Sequence, residues 1–317
     1  MRTVAALLMT VLFLPLAKDA AGAQRQTQVP RIGFLGAARW SSDFLEGLRQ
    51  LGYIEGKNII VDYRFRKGTI EVLPELAADL VRLKVAIIVT GGPTATGAAM
   101  KATKTIPIVV VGGGDPVGRG FVESLSMPGG NVTGLSEFAK GLHGKRMELL
   151  KETFPSTSRV ALINSRTRAR YIETYQRAAR SLGVNLETVD VHSLHEFERA
   201  FARITTMRPD ALTTVSDTLT IRHAKQIGEF ALKKRLPSIY DSRQFVTAGG
   251  LMSYGVNYKA QWRRAAFFVD KILKGANPAS LPVEPPQFEL VINLATARKI
   301  GRPIPPEILL EANEVIK

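Results

Sequence analysis

Residues 31–65 read RIGFLGAARWSSDFLEGLRQLGYIEGKNIIVDYRF, and this stretch holds one full unit of the pattern that decides the fold. Arg31 to Leu35 is a short apolar run without polar alternation, the signature of a strand covered on both faces. Ser42 to Leu51 (SDFLEGLRQL) follows as a helix, with Ser41 or Ser42 placed to cap it. Ile59 to Phe65 (IIVDYRF) returns to β-branched and aromatic residues as a second strand. Two buried strands joined through a helix make the right-handed crossover unit of a parallel sheet.

The same alternation runs outward from this unit. A helix over Ile70–Leu83, a strand over Val85–Val89, a helix over Thr94–Lys101 and a strand over Ile108–Val111 complete a first series. The pattern starts afresh after Gly134. Helices are predicted over Gly144–Thr153, Arg170–Leu182, His195–Met207 and Ile221–Lys233. Strands are predicted between them over Val160–Asn164, Asn185–Asp190, Ala211–Val215 and Ser238–Tyr240, before the Gly-rich link Ala248-Gly249-Gly250. The tail holds a helix over Lys259–Lys274 ending at Gly275 and a proline-rich crossing over Pro278–Pro286. A strand over Phe288–Asn293 and a last helix from Pro305-Pro306 finish the chain. Two series of similar length predict an α/β protein of two doubly wound parallel-sheet lobes, joined by several crossovers. Its ligand cleft should lie between them, where strand ends and helix N-termini converge.

Composition narrows the function. The 317 residues include 43 Lys+Arg, 28 Asp+Glu, four His and no Cys, with a formal net charge of +15. At 45% hydrophobic and 22% charged the chain has the balance of a folded globular protein, which excludes wholesale disorder. The absence of Cys excludes a disulfide framework, a thiolate zinc site, a thiol nucleophile and a lipid-modified N-terminal Cys. The charge excess invites a nucleic-acid partner. The N-terminus argues against one. Arg2 precedes an apolar run from Val4 to Ala17, which stops at Lys18-Asp19 and is followed by the small-x-small pattern Ala21-Gly22-Ala23. This is an export signal over residues 1–23, and the run is shorter than the roughly 20 residues of a spanning helix. An uncleaved anchor is the competing reading. Cleavage before Gln24 would leave 294 residues with a net charge of +14, a polar tether over Gln24–Pro30, and a soluble periplasmic protein away from chromosomal DNA.

Several segments then carry a family likeness. They include Gly52-Tyr53-Ile54-Glu55-Gly56-Lys57-Asn58-Ile59, Leu73-Pro74-Glu75-Leu76-Ala77, Thr105-Ile106-Pro107-Ile108-Val109, Gly114-Asp115-Pro116-Val117 and Pro128-Gly129-Gly130-Asn131-Val132-Thr133-Gly134. Gly144-Lys145-Arg146, Gly249-Gly250-Leu251-Met252-Ser253-Tyr254-Gly255, Asp270-Lys271-Ile272-Leu273-Lys274-Gly275 and Phe288-Glu289-Leu290-Val291-Ile292-Asn293-Leu294 continue it. In these motifs the whole mature chain resembles the ABC-transporter substrate-binding proteins of the tryptophan/tyrosine-binding-like family. The resemblance implies a type I periplasmic-binding fold that closes around a small solute, an amino acid or an aromatic or organic acid. It implies delivery to an ABC permease in the inner membrane. No cofactor and a monomeric receptor are expected, and the export signal removes nucleic acid as a partner. The implied lobes are residues 31–134 with about 257–284, and 135–256 with about 285–317. Two loops depart from the family. Gly36-Ala37-Ala38-Arg39-Trp40 is short, and Asn164-Ser165-Arg166-Thr167-Arg168-Ala169-Arg170 is more basic. Ligand identity is therefore not inherited.

The candidate contacts sit after predicted strands. Thr90-Gly91-Gly92-Pro93-Thr94-Ala95-Thr96 links a strand to a helix, so backbone N–H groups and the helix dipole would favour a carboxylate, with Thr90, Thr94 and Thr96 hydroxyls beside them. Ser41 and Ser42 repeat this at the first helix; ordinary capping is the alternative for both loops. Asp217 would pair with a ligand ammonium or cap the helix beginning near Leu219, and Asp115 before Pro116 has the same two readings. Trp40, Tyr240 and Phe245 would stack on a planar ligand or pack a lobe. Asn164, Arg166 and Arg168 lie on the first cleft loop of the second lobe, where a guanidinium would select an acidic solute or remain solvated.

Other motifs fail on spacing. Gly112-Gly113-Gly114 lacks a glycine at Val117 for a dinucleotide loop, and Gly144-Lys145 has Ala139 where a phosphate loop needs glycine and Arg146 where it needs Ser or Thr. His192, His195 and Glu196 suggest a metal pair, yet Ser193-Leu194-His195-Glu196 reads as a capping box. His143 and His223 stand alone in sequence. No nucleophile elbow or zinc-protease helix is present, so no catalytic residue and no metal site are expected. A transcription regulator of this fold would need an N-terminal helix-turn-helix where the export signal stands. A periplasmic sensory module remains the alternative to transport.

Overall fold

The computed structural model describes residues 29–37, 41–65, 69–137, 141–165 and 171–317. Residues 1–23, expected to be an export signal, and Trp40, Arg166, Arg168 and Arg170 lie outside the described residues.

The first lobe is built on strands β1 (Arg31–Gly36), β2 (Ile60–Phe65), β3 (Ile87–Gly91), β4 (Ile108–Val111) and β5 (Val132–Leu135). They form one fully parallel sheet in the order β2-β1-β3-β4-β5. Successive residues of β3 face opposite sides, and both sides are covered. Ile87 and Val89 meet Phe44 and Leu48 of α1 (Ser41–Gln50) and Trp262, Ala265 and Val269 of α10 (Tyr258–Leu273). Ile88 meets Leu73, Ala77 and Leu80 of α2 (Leu73–Arg82) and Ala95 and Ala99 of α3 (Gly92–Ala102). Burial on two faces is why these strands carry no polar alternation. Helix α10 comes late in the chain yet packs on this first sheet. It lies so close to α1 that a Cβ on Gly47 would stand 2.3 Å from the Arg263 carbonyl oxygen.

The second lobe continues with α4 (Leu142–Thr153), β6 (Arg159–Ser165), α5 (Ile172–Ser181), β7 (Asn185–Val191) and α6 (Phe197–Met207). Next come β8 (Ala211–Thr214), α7 (Thr218–Arg222), α8 (Ala224–Lys233), β9 (Ser238–Tyr240), α9 (Arg243–Thr247) and β10 (Met252–Val256). After α10 the chain returns as β11 (Phe288–Asn293), α11 (Leu294–Ile300), α12 (Pro306–Glu311) and β12 (Glu314–Ile316). The sheet order is β12-β11-β10-β9-β8-β6-β7. It is parallel except that β11 runs antiparallel to β10, a departure from the all-parallel expectation. The reason is topological: the chain re-enters this lobe at the edge from which β10 leaves it.

Three segments connect the lobes, and hydrogen bonds bind them together. The Ser136 N–H donates to the Glu284 carbonyl at 2.9 Å, and the Glu284 N–H donates to the Gly134 carbonyl at 2.9 Å. The Asn257 N–H reaches the Gln287 carbonyl at 2.8 Å. Arg264 forms a two-pronged ion pair with Glu284, Nε to Oε2 at 2.9 Å and Nη2 to Oε1 at 2.7 Å. The chain leaves the first sheet at the carboxyl end of β5 and the second at the carboxyl end of β10. The carboxyl edges of both sheets therefore border the crossings, which is where open α/β sheets place ligands.

The sequence expectation for residues 193–196 holds in altered form. Glu196 accepts a hydrogen bond from the His192 N–H at 3.0 Å and from the Ser193 hydroxyl at 3.0 Å, so its carboxylate turns the chain into a short 3-10 turn ahead of α6. These backbone and hydroxyl donors hold its pKa below the usual carboxylate value. Among the described residues no group of three or more His, Cys, Asp or Glu could hold a metal ion.

Candidate functional site

On the first lobe the strand β3 runs into α3 through Gly91 and Gly92. Gly92 has φ of +81°, a conformation that strains any side chain, and this sharp turn starts the helix without a side-chain cap. The first N–H groups of α3 are thus left for an outside acceptor. The two buried threonines of this loop do not join them. Thr90 and Thr96 are both fully buried, their hydroxyl oxygens 2.8 Å apart, and Thr96 Oγ1 donates to the Gly92 carbonyl at 2.9 Å. Their hydroxyls knit β3 to α3 rather than lining the cleft, whereas Thr94 is exposed. Ser41 and Ser42 open α1, the first half-buried and the second exposed. Asp115 accepts the Gly118 N–H at 2.9 Å, which makes it the cap of a turn; no helix follows Pro116.

On the second lobe the predicted contacts are drawn into local structure. Asp217 caps α7: its Oδ1 accepts the Thr220 N–H at 2.8 Å, and the Thr220 hydroxyl accepts the Asp217 N–H at 2.9 Å. Its Oδ2 takes the Ser165 hydroxyl. Capping is thus the role the structure gives Asp217. Asn164 is buried and donates to Asp190 Oδ1 at 3.0 Å, and among the described residues its own Oδ1 has no hydrogen-bond partner. Tyr240 corrects the expectation of a stacking residue. It is fully buried, and its ring lies parallel to Phe245 at 4.6 Å in the core beneath α8 and α9. The physical reason is strand alternation: Tyr240 faces one side of β9, so the following residue, Asp241, is the one left at the strand's end.

Asp241 belongs to a constellation that the sequence leaves unmarked. The Ser216 N–H donates to its Oδ2 at 2.9 Å and the Ser216 hydroxyl to its Oδ1. Its charge is felt by His143 and Tyr175, which belong to the first turn of α4 and to α5. Between them lies Arg146, 2% exposed. Arg146 donates through Nε to the Tyr254 carbonyl at 2.6 Å and through Nη1 to the Tyr175 hydroxyl at 3.1 Å; Nη1 also stands 2.8 Å from His143 Nδ1. Among the described residues Arg146 forms no ion pair. A buried guanidinium hydrogen-bonded only to neutral acceptors keeps a positive field that the Asp241 carboxylate offsets in part, and it favours a further anion nearby. That field and burial together push His143 down to about 4, burial being the larger cause and Asp241 opposing both. Burial raises Tyr175. The His143 ring packs 4.9 Å from Tyr171 and 4.7 Å from Tyr175, and Tyr254 lies 5.7 Å from Phe288. The second lobe therefore gathers a buried cation and aromatic rings around His143, and the first lobe presents uncapped helix N–H groups at α3.

The residues in this constellation come from α4, α5 and the turn before it, β10, β11 and the segments that follow β8 and β9. His143 and Arg146 are three apart on one helix, a spacing that puts them on the same face, and that was the available signal.

Two α/β lobes joined by three crossings are the architecture of a solute-binding protein. The family model for ABC transporter substrate binding proteins matches residues 37–316, and the chain belongs to that family. It is 26% identical over 266 residues to a tyrosine-binding protein of Clostridioides difficile (strain R20291), covering 81% of this chain and 75% of that one. A conserved domain protein of Vibrio cholerae O1 biovar El Tor is 26% identical, with a TM-score of 0.76 over 91% of this chain and all of the other. A Streptococcus pneumoniae ABC domain in complex with L-Trp has a TM-score of 0.76 at 24% identity, over 90% of this chain and 99% of that one, and supports the fold.

Proposed function

We propose that this protein is the extracytoplasmic solute receptor of an ABC importer, and that its solute is an aromatic amino acid. The buried Arg146 carries this reading, together with the aromatic rings that surround it. A desolvated guanidinium without a carboxylate partner favours a solute carboxylate. The uncapped N-terminus of α3 provides a second place for negative charge. Tyr171 and Tyr254 offer ring faces to a planar side chain. The tyrosine-binding relative and the L-Trp complex point to the same solute class. The signal over residues 1–23 supports export to the periplasm. Closure of the two lobes about their three crossings would trap the solute and create the surface that a membrane permease recognises.

Native mass spectrometry of the mature protein, purified without added solute, tests the reading. The expected result is a copurified aromatic amino acid released unchanged on denaturation. A copurified molecule of another class, or failure of every amino acid to raise the melting temperature, would overturn it.

A further inference from the structure

We propose that Arg146 locks His143 as the neutral imidazole protonated at Nε2, making His143 a dedicated hydrogen-bond donor to an oxygen of the solute. The inference rests on the receptor reading above and adds a specificity-determining residue to it.

Arginine presents five N–H groups and no acceptor, so the 2.8 Å contact between Arg146 Nη1 and His143 Nδ1 can form only if Nδ1 offers a lone pair. A ring unprotonated at Nδ1 carries its proton on Nε2 and is neutral. Arg146 cannot rotate away to relax this, because Nε is held by the Tyr254 carbonyl at 2.6 Å and the side chain is 2% exposed. Nη1 is shared with the Tyr175 hydroxyl, itself fully buried.

The groups facing His143 agree with this assignment. Arg146 opposes an imidazolium, Asp241 favours one, and the tyrosine rings of Tyr171 and Tyr175 desolvate the imidazole. The net effect disfavours the charged ring. Among the described residues no group accepts a hydrogen bond from His143 Nε2, although the side chain is only half-buried. The donor is therefore fixed, oriented and unspent, on the first turn of α4 where the chain enters the second lobe. A neutral donor suits a carboxylate or hydroxyl oxygen and discriminates against a solute that places a donor or a cation there.

The test has two readouts. Long-range proton–nitrogen correlation spectra of solute-free protein labelled in its four histidines report the tautomer directly, with His143→Gln assigning the signal. The expected spectrum shows His143 protonated at Nε2 alone at pH 7. Arg146→Met should release it to a mixture of tautomers, and Arg146→Lys, which keeps a donor, covers the case where the first variant does not fold. The second readout is calorimetric affinity for L-tryptophan and L-tyrosine. His143→Gln, which retains an amide donor, should stay within about threefold of wild type, while His143→Phe should lose about tenfold. A signal from protonated Nδ1 or from an imidazolium at pH 7 would overturn the lock. Unchanged affinity of His143→Phe would overturn the contact. Failure of the wild-type protein to bind either amino acid would sink the receptor reading and the contact with it. The tautomer, read without solute, stands or falls separately.

Discussion

Gln261 in α10 donates its side-chain amide to the backbone carbonyl of Ser136 at 2.8 Å, joining the helix of one crossing to the strand exit of another. Gln261 is fully buried, and among the described residues its own Oε1 and the Ser136 Oγ have no hydrogen-bond partner. Gln261 thus joins Arg264 and the backbone N–H groups of Ser136, Glu284 and Asn257 in binding the crossings together. Gln261→Ala leaves the Ser136 carbonyl buried and unpaired and should lower unfolding free energy by about 2 kcal/mol, measured in urea. A change below roughly 0.5 kcal/mol would mean that the bond contributes nothing beyond solvent exchange.

Gly47 makes a stronger steric prediction. A methyl group there would meet the Arg263 carbonyl at 2.3 Å, a backbone atom that cannot swing aside. Gly47→Ala should separate α1 from α10 and cost about 1–3 kcal/mol despite the better helix propensity of alanine. Thermal unfolding checks it, and a stabilised variant would contradict the packing.

His143 sets a pH dependence. Its imidazole sits at about 4 in the folded protein against an ordinary value of 6.5, so between these values the unfolded chain binds the extra proton. The associated stability is present above about pH 6.5 and is lost as pH falls toward 4, amounting to about 3 kcal/mol in full. His143→Gln should flatten the difference in stability between pH 7 and pH 4.5. Parallel curves for both proteins would show that His143 titrates normally.

Thr90 separates a structural hydroxyl from a contact. Thr90→Val removes the bond to Thr96 and should cost about 1 kcal/mol in stability. Solute affinity should stay within about twofold. A tenfold loss of affinity at unchanged stability would return Thr90 to the ligand.

The fold was legible because its strands are covered on both faces, and an unbroken run such as Ile32–Leu35 says so by itself. Strand β5 was not legible: it has four residues including Gly134, and it is a strand because β4 pairs with it. β10 was hidden in the same way behind Gly249-Gly250 and Gly255. The site was harder. Arg146 meets Tyr175, 29 residues away, and the Tyr254 carbonyl, 108 away, and no local pattern encodes such neighbours. The choice between Tyr240 and Asp241 turned on which face of β9 the covering helices occupy, a tertiary fact that one residue of register reverses. Asp217 and Asp115 read equally as caps or contacts because a carboxylate at a strand's end serves either purpose with the same atoms.

Isothermal titration of L-tryptophan and L-tyrosine into the mature chain tests the central claim most directly. The account predicts one site per chain, a negative heat-capacity change from burying the ring, and affinity lost in His143→Phe. No heat from either amino acid, with the protein folded and no solute retained from purification, would contradict it.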